Sequence, residues 1–180
     1  MLRFNDQGQP SPSGVCDGLS RRNPEASIAK AEQLPDDDRR ADTMLEVARG
    51  MAGDHPERAA GLIVETQGKN PPADEEMQFN SISAQASVAA AQNKKDESHE
   101  MLHRGFASAN RILLGQQRSG DIHFFPGLGL MIQIGIQNDP DLTIAFMESL
   151  PMSYVKAEVF LIAASALNMG KRVPLSSRQQ

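Results

Sequence analysis

The chain has 180 residues, 39% hydrophobic and 4% aromatic, with one Cys (Cys16), no Trp and a formal net charge of −5. One cysteine excludes a disulfide framework and Cys-based zinc ribbons, and no apolar run approaches the roughly 18 residues of a membrane helix. Three bases and two acids in 1–22, and three bases without an acid in 171–180, leave the body at −9, a charge that repels nucleic-acid phosphates.

Residues 1–22 are rich in turn formers (Gly8, Pro10, Pro12, Gly14, Gly18) and lack periodicity. They read as a disordered leader. No signal-peptide core appears there, so a cytoplasmic location is the default expectation. Regular structure is expected from Asn23-Pro24-Glu25, where Asn caps, Pro fits the first turn and Glu complements the dipole.

A first helix over 24–34 places Ile28, Ala31 and Leu34 on one stripe, and Pro35 ends it. Asp36-Asp37-Asp38 caps a second helix over 38–52, with Ala41, Met44, Leu45, Ala48 and Met51 at the spacing of a buried face. Asp54-His55-Pro56-Glu57 repeats the start signal and opens a third helix, 56–67, with Ala60, Ile63 and Val64 inward. A fourth, about 74–92, turns Phe79, Ile82, Ala86 and Ala89/Ala90 inward. A fifth, 95–115, carries Leu102, Phe106, Ala109 and Leu113.

The stretch 128–136 alternates Leu128, Leu130, Ile132, Ile134 and Ile136, which is a strand pattern. The repeat described next favours a helix there. Asn138-Asp139-Pro140-Asp141 opens a seventh helix to Leu150, and Pro151 ends it. An eighth spans 153–169, with Val155, Val159, Ile162 and Ala166 inward. A basic tail, 170–180, is read as disordered.

Shifting the chain by 116 residues aligns 23–50 with 139–166 without a gap. Nine of 28 positions are identical, among them Pro24/Pro140, Leu34/Leu150, Pro35/Pro151, Ala41/Ala157, Leu45/Leu161 and Ala48/Ala164. The unit is a capped short helix, a Leu-Pro corner and an Ala-rich amphipathic helix returning antiparallel. One such hairpin cannot bury both faces and needs stacked neighbours. Two further units, 55–92 and 95–137, fill the interval.

With these features the chain resembles the α-helical solenoids of the tetratricopeptide and HEAT kind. The Asp-Pro-Glu-Arg-Ala style of 54–60, read with a gap at His55, resembles uncharacterised bacterial Ala-rich repeat proteins. The tetratricopeptide consensus itself is missing, since there is no Trp and the one Tyr is Tyr154. The resemblance implies a scaffold that binds a protein or peptide and implies no activity. The expected fold is all-α, a right-handed solenoid of about four antiparallel hairpins over 23–169. If the chain is part of a longer array, an apolar edge is expected at the first or eighth helix, with self-association through the open ends.

One motif points elsewhere. His99-Glu100-Met101-Leu102-His103 is the H-E-x-x-H pattern, in which two His at i and i+4 share a zinc and Glu acts on its bound water. His123, 20 residues on, is a candidate third ligand, and Glu148 and Glu158 lie later in the chain. Against it, Lys94, Lys95, Asp96, Glu97 and Arg104 flank the motif, whereas a metal-backing helix is uncharged there. Phe106 and Ala109 occupy the places of the extended motif's Gly and third His. No strand pattern precedes it. A solvated polar face is the favoured reading of His99 and His103, so no cofactor and no catalytic residue are assigned. The alternative is a zinc-dependent hydrolase using His99, Glu100, His103 and His123. Expected partners are therefore a protein or peptide, with no nucleic acid and no membrane span.

Overall fold

A computed structural model describes residues 20–34, 37–120, 124–150 and 154–170. Among these residues there are no strands. The helices are α1 (Pro24–Glu32), α2 (Asp37–Met51), α3 (Pro56–Lys69), α4 (Glu75–Ala91), α5 (Lys95–Ser119), α6 (Pro126–Asn138), α7 (Pro140–Ser149) and α8 (Tyr154–Gly170). Helical backbone already covers residues 20–22, and Ser20 is buried, so order begins ahead of Asn23. The readings of 1–19, Pro35, Asp36, Pro151 and the basic tail lie outside the described residues. No described helix is long and apolar enough to cross a membrane.

Local chemistry sets the helix starts. Asn23 Oδ1 accepts from the Ala26 amide at 3.1 Å, Pro24 occupies the first turn, and the Ser27 hydroxyl donates to the Asn23 carbonyl at 3.3 Å. The same bonds recur 116 residues on. Asp139 Oδ1 accepts from the Leu142 amide at 3.1 Å, and the Thr143 hydroxyl donates to the Asp139 carbonyl at 2.7 Å. Such caps satisfy amide donors that lack a partner within the helix. Asp74 caps α4 in the same manner, from the Met77 amide at 2.8 Å. His55 precedes α3 without a side-chain cap, leaving Pro56 to start that helix.

The corners repeat as well. Arg40 donates from Nε and Nη2 to the Leu34 carbonyl, at 2.9 and 2.7 Å. Lys156 donates from Nζ to the Leu150 carbonyl at 3.0 Å and to that of Glu148 at 2.8 Å. These pairs again stand 116 residues apart. Arg and Lys differ in identity, so a count of matching letters passes over them, yet each brings a cation to the carbonyl end of a helix.

Each helix packs on its neighbours in sequence. The even-numbered helices also touch in succession, α2 on α4, α4 on α6 and α6 on α8. Two apolar clusters result. One joins Ile28 and Ala31 of α1 to Leu45, Val47, Leu62, Ile63 and Val88; the other joins Phe79, Leu102, Phe106, Leu128, Ile132, Phe146 and Val159. α4 contributes to both, with Ala84 and Val88 in the first and Phe79 and Ala86 in the second.

This position explains why α4 and α6 are buried nearly all round. In α6 both alternating sets of side chains are covered, so the strand-like pattern of 128–136 folds as a helix. Its glycines admit the neighbours: a Cβ on Gly127 would stand 2.7 Å from the Phe79 ring, and one on Gly129 3.2 Å from Ile162.

One expected face is corrected. Val64 is 70% exposed, while Ala59, Leu62 and Thr66 of the same helix are buried. The inward stripe of α3 lies one position earlier because α2 and α4 together define it. The inward assignments for the second and fifth helices are all buried.

Candidate functional site

His99, Glu100 and His103 lie on α5, the first turn of which is acidic at Asp96 and Glu97. All three side chains are exposed, because the buried stripe of this helix runs through Ser98, Leu102, Phe106 and Ala109. The two imidazole rings meet edge to face, with centroids 4.7 Å apart. His99 Nδ1 lies 2.5 Å from Asp139 Oδ2, with side-chain exposures of 55% and 18%. Asp139 therefore serves two helices: one oxygen caps α7 and the other takes His99 of α5. Glu100 pairs with Arg104 at 3.8 Å, one turn along the surface. Among the described residues no group of three His, Cys, Asp or Glu is placed to hold a metal ion. His123 lies outside the described residues.

A concavity lies elsewhere, a cleft of about 460 Å³ bounded by α1, α2 and α3. Ile28, Ala29, Ala41, Met44 and Leu62 supply its apolar lining, and Glu25, Glu32, Arg40, Arg58, Glu65 and Lys69 its charged one. The charges are partly paired. Arg58 Nε and Nη2 donate to the two Glu25 oxygens at 2.9 and 3.3 Å, joining α3 to α1. That hydrogen bond holds the Glu25 carboxyl below its ordinary range and raises Arg58 above its own. Lys69 donates to Glu65 at 2.7 Å and lowers that carboxyl in the same way. Arg40 is held by the Leu34 carbonyl and by Asp37 at 2.8 Å. The cleft is thus walled mainly by polar and charged groups, several of them paired, over buried apolar side chains. The sequence did not reveal it, because its walls come from three helices, each amphipathic in its own register.

A third polar group links α2 to α4. Asn80 donates to Asp42 at 3.2 Å and accepts from Arg49 at 3.1 Å. Burial pushes the Asp42 carboxyl above its ordinary range, against the pull of Asn80 and Arg49. The bridge orients two stacked helices and faces no cavity described above.

No family model, curated protein or solved structure matches the chain.

Proposed function

We propose that the chain is a non-catalytic helical-repeat scaffold: a right-handed solenoid of four antiparallel hairpins, tetratricopeptide- or HEAT-like in architecture, that binds a protein segment. The succession of even-numbered contacts and the caps and corners recurring at 116 residues support the repeat. The single observation that carries the function is the cleft between α1 and α3. Its volume of about 460 Å³ falls within the roughly 300–1,000 Å³ of ligand clefts. A protein segment with charged side chains and at most a small apolar group fits a cleft walled mainly by polar and charged residues.

Ala29 is exposed on α1 and lines the cleft, so Ala29→Glu alters the cleft without touching the core. In affinity capture from a lysate, the wild type is expected to retain a protein that Ala29→Glu loses, with helicity by circular dichroism unchanged. Equal capture by both would refute the assignment.

A second reading, a zinc-dependent hydrolase using His99, Glu100 and His103, draws on one observation. Asp139 accepts from Nδ1 of His99, which leaves Nε2 as the metal-binding nitrogen, the usual carboxylate–histidine arrangement behind a metal. The exposure of all three side chains favours the scaffold. Zinc content of the purified wild type against His103→Ala decides between them: stoichiometric zinc lost in the variant supports the hydrolase.

A further inference from the structure

α5 carries two imidazoles one turn apart. His99 and His103 stand at i and i+4, so both rings leave the same side of the helix. That side faces solvent, while Ser98, Leu102, Phe106 and Ala109 face the interior.

The rings stand at chelating distance. With a metal–nitrogen bond of about 2.0–2.1 Å and about 1.2 Å from nitrogen to ring centre, two imidazoles on one ion have centroids about 4.5 Å apart at a right angle and about 5.2 Å apart at the tetrahedral angle. His99 and His103 stand at 4.7 Å with their planes inclined by 71°, so an ion can enter without a change in the helix. The separation lies nearer the right angle, the preference of tetragonal Cu(II) and Ni(II) rather than of tetrahedral Zn(II).

α7 sets the proton of one ring. Asp139 is fixed by its own helix, since Oδ1 accepts from the Leu142 amide at 3.1 Å. Its Oδ2 stands 2.5 Å from Nδ1 of His99, which holds the imidazole proton on Nδ1 and leaves the lone pair on Nε2. A carboxylate behind an imidazole also raises the basicity of the ligating nitrogen. Beyond the ring contact, His103 has no hydrogen bond or ion pair among the described residues. Glu100 is engaged along the helix by Arg104 at 3.8 Å.

We propose that His99 and His103 together chelate one divalent transition-metal ion, Cu(II) in preference to Ni(II) or Zn(II), with Asp139 as the positioning residue and water completing the coordination. Imidazole nitrogen suits these ions, whereas Mg(II) and Ca(II) take oxygen ligands. The site stands apart from both readings above: it uses neither the α1–α3 cleft nor Glu100, and it needs no third protein ligand. An exposed ion held by two ligands exchanges with solvent, so titration reads this site, and zinc content after purification does not.

Isothermal titration of Cu(II), Ni(II), Zn(II) and Mg(II) chlorides into the full chain carrying Cys16→Ser tests this, the substitution removing the one thiol. One equivalent of Cu(II) is expected to bind, more tightly than Ni(II) or Zn(II), and Mg(II) not at all. His99→Ala and His103→Ala should each weaken Cu(II) binding by about tenfold or more, because each leaves a single donor. Asp139→Asn keeps a good capping residue for α7 but turns an amide N–H toward Nδ1, which moves the imidazole proton to Nε2. It should weaken Cu(II) by about tenfold with helicity by circular dichroism unchanged. Glu100→Gln and His55→Ala should bind as the parent does. No Cu(II) binding, binding that survives His103→Ala, or binding unchanged in Asp139→Asn would each overturn the proposal. Loss of binding in Glu100→Gln or His123→Ala would overturn it in favour of the hydrolase site.

Discussion

Alanine at Gly135 and alanine at Gly115 are the same chemical change in two helix interiors, and the structure gives them opposite expectations. An alanine in a helix interior is favoured over glycine by about 1 kcal/mol, because glycine loses more backbone freedom on folding. A Cβ on Gly115 meets nothing within 4 Å, so Gly115→Ala should gain close to that amount. A Cβ on Gly135 would collide with the Thr143 hydroxyl and stand 3.2 Å from both Thr143 Cγ2 and the Phe106 ring. Neither neighbour is free to retreat. Thr143 is fully buried with its hydroxyl bound to the Asp139 carbonyl at 2.7 Å, and Phe106 is stacked on Phe146 with centroids 4.3 Å apart. Overpacking of this kind costs about 1–3 kcal/mol. The two variants should therefore differ by about 1–3 kcal/mol, with Gly135→Ala the less stable. Urea unfolding followed by circular dichroism at the helical band measures the difference. If Gly135→Ala is as stable as Gly115→Ala, the close approach of α6 to α7 is wrong.

Three further outcomes follow from the polar contacts. Burial raises the Asp42 carboxyl in the folded chain, so ionised Asp42 disfavours the fold at neutral pH, and that cost fades as pH falls through its raised pKa. Asp42→Asn should stabilise at neutral pH, with the advantage vanishing below the ordinary carboxylate range; a pH-independent advantage in unfolding midpoints would contradict this. Arg40→Met and Lys156→Met each remove the cation from a helix-end carbonyl and should each cost about 1 kcal/mol; an unfolding midpoint unchanged in both would show the corners to be inert. Asp139→Ala removes the α7 cap and the His99 contact together and should cost about 1–2 kcal/mol, with His99→Ala costing less, since the amide bond to Leu142 remains.

The sequence by itself determined where several helices begin, and its composition pointed to the helical class found among the described residues. Asn23-Pro24, Asp74 and Asp139-Pro140 act on amides within three residues of themselves, so the information is local and appears in the letters. The sequence match at 116 residues was legible for the same reason: its caps act locally, and the Asn23 and Asp139 caps make the same bonds. The exposure of His99 and His103 could also be read from the apolar stripe that α5 turns away from them.

Only the tertiary structure decided which faces are covered. Val64 faces solvent because the inward side of α3 is set by α2 and α4, whose directions no local pattern encodes. The alternation of 128–136 had two local interpretations, and the helix holds because neighbours enclose α6 on all sides. The cleft of α1, α2 and α3, the bond from Asp139 to His99 and the exposure of Leu161 and Leu167 on α8 all depend on helices distant in sequence. Propensity and capping act over one turn, while burial is a property of two or three helices at once, and that difference in range separates what could be read from what had to be seen.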